Sequence, residues 1–365
     1  MKSFKNQIDK KIITFVICSN GYGHCKRSLK VLNEIYKINP EINFNIISNK
    51  SKLNFLKKGL NSKIYRLKFD TYLMENEPNW LDTSSLNYSN YLSWTDEFKT
   101  NKIILSSDLV ISDNNLAPLL ANKRTFLMGS FLWHDIIKDD YEEAKKIREF
   151  QKKIITDYKP EIIVLESMYM DFLLEKVMVS GVPWFTKRKV TKKEKIYNKI
   201  LVTSGGTEQL DDIFLNLTER LATINSTKQI FLDTKLYKKF KISNSDEFLN
   251  VQLFDFTEEC FIAIDIIICR PGIGILTDCV SYLIPLIAIY DNKNIEIIHN
   301  AKKVKSLGLG IAIKVKGNFI EEDQLQKINC FLDLNETHKM HHQNLLNQKI
   351  NGHQDAAHKI LNAIA

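Results

Sequence analysis

The sequence predicts an α/β protein made of two Rossmann-like domains facing across an interdomain cleft. Three observations point there. Short apolar runs alternate with helical patterns along the chain, the signature of parallel sheets with right-handed crossovers. The alternation breaks at a basic stretch, TKRKVTKKEKIYNK, and then restarts. Strands in both halves end in glycine turns, the places where open α/β sheets bind ligands.

The elements follow in order. KIITFVICS is a continuous apolar run, as a buried parallel strand should be. KRSLKVLNEIYK has helical spacing, with Leu29, Leu32, Ile35 and Tyr36 on one face. INFNIISN is the next strand, SKLNFLKKGL the next helix, and KIYRLKF a third strand. SDLVISD and RTFLMG are two more strands, a charged helix covers 139–158, and PEIIVLES is again a strand. Residues 70–100 interrupt the pattern with an aromatic and polar segment, read as a lid or substrate loop or as a surface insertion. In the second half, KILVTSGG, KQIFLD, NVQLFDF, IDIIICR, PLIAIYD and GIAIKV read as strands with helices between them. The predicted boundaries are a first domain at 1–185, a linker at 186–198, a second domain at 199–340, and a helix at 341–365 that returns to the first domain.

Composition narrows the function classes. The 365 residues are 44% hydrophobic, with 51 Lys and Arg against 43 Asp and Glu, a net charge of +8. The excess is spread along the chain. It suits anionic substrates or lipid headgroups and argues against a nucleic-acid partner. The six cysteines show no C-x-x-C spacing and sit mostly in apolar runs, as buried thiols in a reducing compartment do. The N-terminus lacks the apolar region of a signal peptide, and no stretch approaches the ~18 apolar residues of a membrane span. The expected location is the cytoplasm, with peripheral contact at the inner face of a membrane left open. The triplet His338, His341 and His342 has loose metal-ligand spacing without a supporting pattern, and is expected on a solvated helix face; no metal site is predicted.

Three turns carry chemistry. In SNGYGHCKR, Gly21 and Gly23 allow a tight turn, the helix start offers free N–H groups, and His24 is suited to proton transfer. A capping histidine beside turn glycines is the plainer reading. In TSGGTEQ, the amides of Gly205, Gly206 and Thr207 are placed to cradle a diphosphate, unless this is an ordinary strand-to-helix turn. In CRPGIGILTD, a buried strand ends at Arg270 and a helix begins near Gly272, Ile273 and Gly274, carrying Thr277 and Asp278. Asp278 is placed to accept both hydroxyls of a ribose.

This last stretch resembles the donor-nucleotide signature of GT-B glycosyltransferases, closest to the MurG-like, family 28 type. Asp265, Arg270, Gly272, Thr277, Pro285, Asn300, Ala301 and Gly308 match its pattern in order. The turn GYGHCKR is similar to the GxGHxxR of that group and of nucleotide-sugar hydrolases such as PseG. LMGSFLWHDII resembles a segment of some glycosyltransferases. The resemblance spans roughly residues 11–335. It departs from the pattern at Asp278, where the family has Glu; at Ile284, where it has Gly; and at Glu296 and Ile297, where it has a Gln pair.

The resemblance implies an inverting, metal-independent transfer of a hexose or N-acetylhexosamine from a UDP-sugar co-substrate, with no other cofactor. His24 would be the base, with Asp113 orienting it or serving as base itself. Arg270 and the helix-start amides would receive the leaving diphosphate, with Phe256 added to the nucleotide set. Glu296 and Asn300 would contact the donor sugar. Gly21, Gly23, Arg27, Trp133 and His134 would form the turn and line the acceptor side. The acceptor would be a glycan, a lipid-linked molecule or a small molecule. Two other readings stand beside this one: a nucleotide-sugar hydrolase or epimerase on the same fold, and a non-catalytic sugar-nucleotide-binding protein.

Overall fold

A computed structural model describes residues 10–60, 69–80, 82–137, 141–190, 198–205, 208, 210–225, 227–244, 248–333 and 335–365. The chain divides into two compact units, Met1–Phe185 with Asn351–Ala365, and Thr186–Ile350.

The first unit begins with β1 (Ile12–Ile17), α1 (Tyr22–Ile38), β2 (Asn43–Ser48), α2 (Lys50–Leu60) and β3 (Phe69–Leu73). It continues with α3 (Tyr88–Lys99), α4 (Lys102–Leu105), β4 (Leu109–Asp113), β5 (Thr125–Met128), α5 (Trp133–Ile136), α6 (Glu142–Tyr158), β6 (Glu161–Leu165) and β7 (Met178–Val182). The seven strands form one parallel sheet in the order β3-β2-β1-β4-β5-β6-β7. The order reverses between β1 and β4, whose carboxyl ends meet at the pair Ile17 and Asp113. That reversal is the switch point at which a doubly wound sheet opens a crevice.

The second unit holds β8 (Lys199–Thr203), α7 (Asp211–Ile224), β9 (Gln229–Leu232), α8 (Thr234–Asn244), β10 (Val251–Leu253), α9 (Glu258–Ala263) and β11 (Ile266–Cys269). After these come α10 (Ile273–Tyr282), β12 (Leu286–Tyr290), α11 (Ile295–Ser306), β13 (Gly310–Lys314), α12 (Glu322–Asp333) and α13 (Asn335–Leu346). Its parallel sheet runs β10-β9-β8-β11-β12-β13, with the switch between β8 and β11. Central strands are apolar throughout because helices cover both faces: Ile266, Ile267, Ile268 and Cys269 are all fully buried.

Several expectations change. The buried face of α1 is Cys25, Ser28, Val31, Leu32 and Ile35, while Leu29 and Tyr36 are only half-buried. Most of the strand expected in KIYRLKF lies outside the described residues, and β3 begins at Phe69. The sequence reading missed β7, whose run MVSGV is short and broken by Ser and Gly. Segment 70–100 is built into the fold: Trp80, Tyr91, Trp94 and Phe98 are buried in one aromatic core, which also takes in Trp133. The start of the expected linker is anchored to the second unit. Ser281 Oγ donates to the Lys187 carbonyl at 2.8 Å, and the Lys189 amide donates to the Ser281 carbonyl at 2.9 Å. Residues 191–197 lie outside the described residues.

The histidine triplet is likewise not on a solvated face. His338 is fully buried beside the Phe331 ring, and His341 Nδ1 donates to the Gly308 carbonyl at 2.7 Å, because α13 packs on α12. All of α13 belongs to the second unit, so the return to the first starts at Asn351, later than the expected 341. The final helix α14 (Gly352–Ile364) packs on α1, and Gln354 Nε2 donates to Glu34 Oε1 at 3.3 Å. Among the described residues, no helix is long and apolar enough to cross a membrane.

Gly352 opens α14 where a Cβ would lie 1.9 Å from the Pro183 carbonyl oxygen. Backbone cannot retreat as a flexible side chain can. Gly352→Ala is expected to cost about 1–3 kcal/mol of stability by overpacking, read as a lowered urea midpoint with an unchanged m-value.

Candidate active site

In the first unit, the turn between β1 and α1 is shaped by Gly21, whose φ of 96° and ψ of 157° suit glycine alone. Gly21 gives α1 no side-chain cap, and the first turn of α1 contains no acidic residue. The helix therefore begins with uncapped N–H groups and its positive dipole end. Glu77 clamps the turn from a distant loop. Its Oε2 accepts from the Ser19 amide at 2.7 Å, and its Oε1 accepts from Cys18 Sγ at 3.0 Å and Trp80 Nε1 at 3.1 Å. Burial and the Glu77 charge push the Cys18 thiol up, so it stays protonated as a donor.

His24, Arg27 and Ser28 stand at i, i+3 and i+4 on α1, one face of the helix. All three converge on Asp113 at the end of β4. His24 Nδ1 lies 2.7 Å from Asp113 Oδ1, Arg27 Nε donates to Oδ2 at 3.2 Å, and Ser28 Oγ donates to Oδ2 at 2.9 Å. Arg27 Nη2 also donates to Oδ1. The Asp113 side chain is 1% exposed. Burial alone would push its carboxyl up, but the Arg27 guanidinium and His24 outweigh burial and hold it below the usual carboxylate range. An ionised Asp113 accepts a hydrogen bond from Nδ1–H, the tautomer that puts the lone pair of the imidazole on Nε2. An imidazole held this way can act as a general base.

Trp133 and His134 do not line an open surface. Trp133 is buried and stacks on Trp80 with ring centroids 5.6 Å apart. His134 is fully buried, with Nε2 3.1 Å from Asp135 Oδ1. Both are scaffold of the aromatic core, because the short helix α5 turns them inward.

In the second unit, the ends of β8 and β11 meet at the pair Thr203 and Cys269. Gly205 has a left-handed φ of 73°, and its amide donates to Thr203 Oγ1 at 3.2 Å. Gly206 and Thr207 lie outside the described residues. Beside Gly205, the Arg270 amide donates to the Thr203 carbonyl at 3.2 Å, and Gly272 caps α10 without a side-chain bond. A Cβ at Gly205 or Gly272 would meet nothing within 4 Å among the described residues. Ile273 and Gly274 form the first turn of α10, which has no acidic residue. Arg270 Nη2 is buried and has no hydrogen-bond partner among the described residues. Burial pushes the guanidinium down, and the charges of Glu296 and Asp291 oppose this.

Other residues of the second unit fall in different places. Asp278 is half-buried on α10, and Thr277 Oγ1 donates to the Ile273 carbonyl at 2.7 Å. Phe256 is exposed and packs edge-on against Phe254 at 4.9 Å. Asn300 is 1% exposed, and its Nδ2 donates to the Pro271 carbonyl at 2.9 Å. It ties the Arg270–Gly272 turn to α11. Among the described residues, no three His, Cys, Asp or Glu side chains are grouped to hold a metal ion.

Residues 199–360 match the Glycosyltransferase family 28 C-terminal domain. The match lies in the second half of the chain. Solved structures along its full length show the same GT-B fold. The glycotransferase of kitacinnamycin shares 14% identity with a TM-score of 0.67, covering 98% of this chain and 99% of its own. MurG of Acinetobacter baumannii shares 11% with a TM-score of 0.60, covering 97% and 99%. A UDP-glucosyltransferase from Polygonum tinctorium shares 12% with a TM-score of 0.68, covering 97% and 98%. At these identities the likeness is one of fold. No curated protein matches the chain in sequence.

Sequence reading found His24, Arg27 and Asp113 but missed Ser28 and Glu77. Ser28 was available from its i+4 spacing to His24. Glu77 had no local signal, since its contacts with Cys18 and Ser19 span 59 and 58 residues.

Asp113 links this cluster to stability. Its folded carboxyl titrates below the ~3.9 of an unfolded aspartate. Its contribution is therefore complete above the unfolded value and is lost as pH falls through the folded one. Asp113→Asn is expected to cost about 3 kcal/mol or more at neutral pH, by leaving Arg27 buried without its counter-charge. The variant should also lose less stability than the wild type between about pH 5 and pH 3, measured by urea unfolding across that range.

Proposed function

We propose that the enzyme transfers a hexose or N-acetylhexosamine from a UDP-sugar to an acceptor hydroxyl, with inversion and without a metal. The hydrogen bond from His24 to the buried, ionised Asp113 carries this reading. Nε2 of His24 takes the proton of the acceptor hydroxyl as its oxygen attacks the anomeric carbon. The bond from that carbon to the diphosphate breaks, and the electron pair leaves with the nucleoside diphosphate. The imidazolium that forms is stabilised by Asp113, with Arg27 and Ser28 fixing the carboxylate.

The second unit supplies what the leaving group requires. Amides at the start of α10, the turns at Gly205 and Gly272, and Arg270 Nη2 suit the charge that develops on a diphosphate. Asp278 accepts from the ribose diol, one methylene shorter than the family's Glu. Glu296, close enough to Arg270 to influence its charge, takes the sugar-hydroxyl role that the family gives to Gln. One structural neighbour is a UDP-glucosyltransferase, which supports uridine as the base.

His24→Ala is expected to lower transfer by about 10²–10⁴-fold, the range for loss of a positioned base, while donor affinity by calorimetry stays at the wild-type value. Retained turnover would remove His24 from the chemistry. Product release that needs no acceptor would convert the reading to hydrolysis.

A further inference from the structure

Asp233 is 7% exposed, and the transfer chemistry gives it no part. It follows β9 and stands directly before α8. Its Oδ1 accepts from the Leu236 amide at 2.9 Å, as the cap of a helix does. A cap needs one oxygen. The other, Oδ2, reaches across to the end of β8, where it accepts from Thr203 Oγ1 at 2.8 Å and from the Ser204 amide at 3.3 Å.

The Thr203 hydroxyl donates to the carboxylate and keeps its lone pairs for another donor. The Gly205 amide takes that place at 3.2 Å. A chain of bonds therefore runs from Asp233 through Thr203 to Gly205, whose φ of 73° lies in the left-handed region. The Thr203 carbonyl accepts from the Arg270 amide at 3.2 Å, so this one residue is bonded to both turns at the switch point. Valine has nearly the shape of threonine and favours strands, so packing alone does not ask for the hydroxyl. The far end of the same segment is also fastened to α8. Asp211, in the first turn of α7 with its side chain 2% exposed, accepts from Lys235 Nζ at 2.7 Å and from Lys239 Nζ at 2.7 Å.

We propose that Asp233 is a positioning residue for the donor: through the Thr203 hydroxyl it holds the Gly205 turn in its binding shape before the diphosphate arrives. Asp233 acts through Thr203 and not on the donor itself. A glycine turn left unfastened has many conformations to lose when a ligand orders it, and that loss lowers affinity. Two hydrogen bonds from a carboxylate already buried for the cap remove most of that cost in advance. This rests on the reading of the second unit's turns as the diphosphate site, and it deepens that reading by naming what fixes one of them.

Calorimetry of the full-length protein with UDP, and with GDP and dTDP in parallel, tests it. Each variant is measured below the onset of its own thermal unfolding. Thr203→Val and Asp233→Ala are each expected to weaken the nucleotide at least about tenfold, the size of one lost hydrogen bond. Thr203→Ser keeps the hydroxyl and should stay within about threefold of the wild type. Wild-type affinity in Thr203→Val or in folded Asp233→Ala would show that the bonds serve stability alone and would overturn the proposal. Thr203→Ser losing as much as Thr203→Val would overturn it too, since the methyl and not the hydroxyl would then matter. If Asp233→Ala does not fold, the two Thr203 variants decide the matter. No nucleotide bound by the wild type would overturn the donor reading and this inference with it, whereas equal binding by wild type and variants overturns this inference alone.

Discussion

Asp113 must be ionised and must be buried, and the first unit is arranged around that conflict. A carboxylate at the end of a central strand has no water to solvate it, so the fold surrounds it with donors. Arg27 neutralises it, Ser28 and Arg27 occupy Oδ2, and the remaining capacity of Oδ1 goes to His24. The imidazole is thereby fixed in tautomer and direction. A burial cost set by the sheet becomes the orientation of a base.

That arrangement depends on topology before it depends on side chains. Only because β1 pairs with β4 does a residue at the end of SDLVISD meet a helix that begins 91 residues earlier in the chain. The second unit repeats the logic with different chemistry. β8 meets β11, two glycine turns stand side by side, and the cation there is Arg270. One switch point presents an imidazole held by a carboxylate, and the other presents glycine turns beside a guanidinium. The structural likeness to transferases of quite different origin is a likeness of this frame.

The frame was legible because its signals are local. Apolar runs of strand length, glycines at their ends and a helix period after them are all read within a dozen residues. His24 and Asp113 were legible for the same reason, each lying at a strand end. What was not legible needed knowledge of direction or of distant contact. An aromatic after a strand looks the same whether it faces solvent or core: Trp133 reads as lining the acceptor side and 70–100 as a lid, substrate loop or insertion, yet Trp133, Trp80 and Trp94 form one buried cluster. Asn300 fits a sugar-binding pattern, yet its amide is held by a backbone carbonyl 29 residues away. Glu77 gained meaning only when folding placed it beside the turn before α1.

The account stands on His24 and Asp113 acting as one unit, and a double-mutant cycle on donor turnover measures that directly. His24→Ala, Asp113→Asn and the double variant would be compared at a temperature where circular dichroism shows all three folded. If Asp113 acts through His24, the double variant should turn over donor within about threefold of His24→Ala alone, because coupled residues are strongly non-additive. Losses that multiply in the double variant would show two independent contributions and contradict the account.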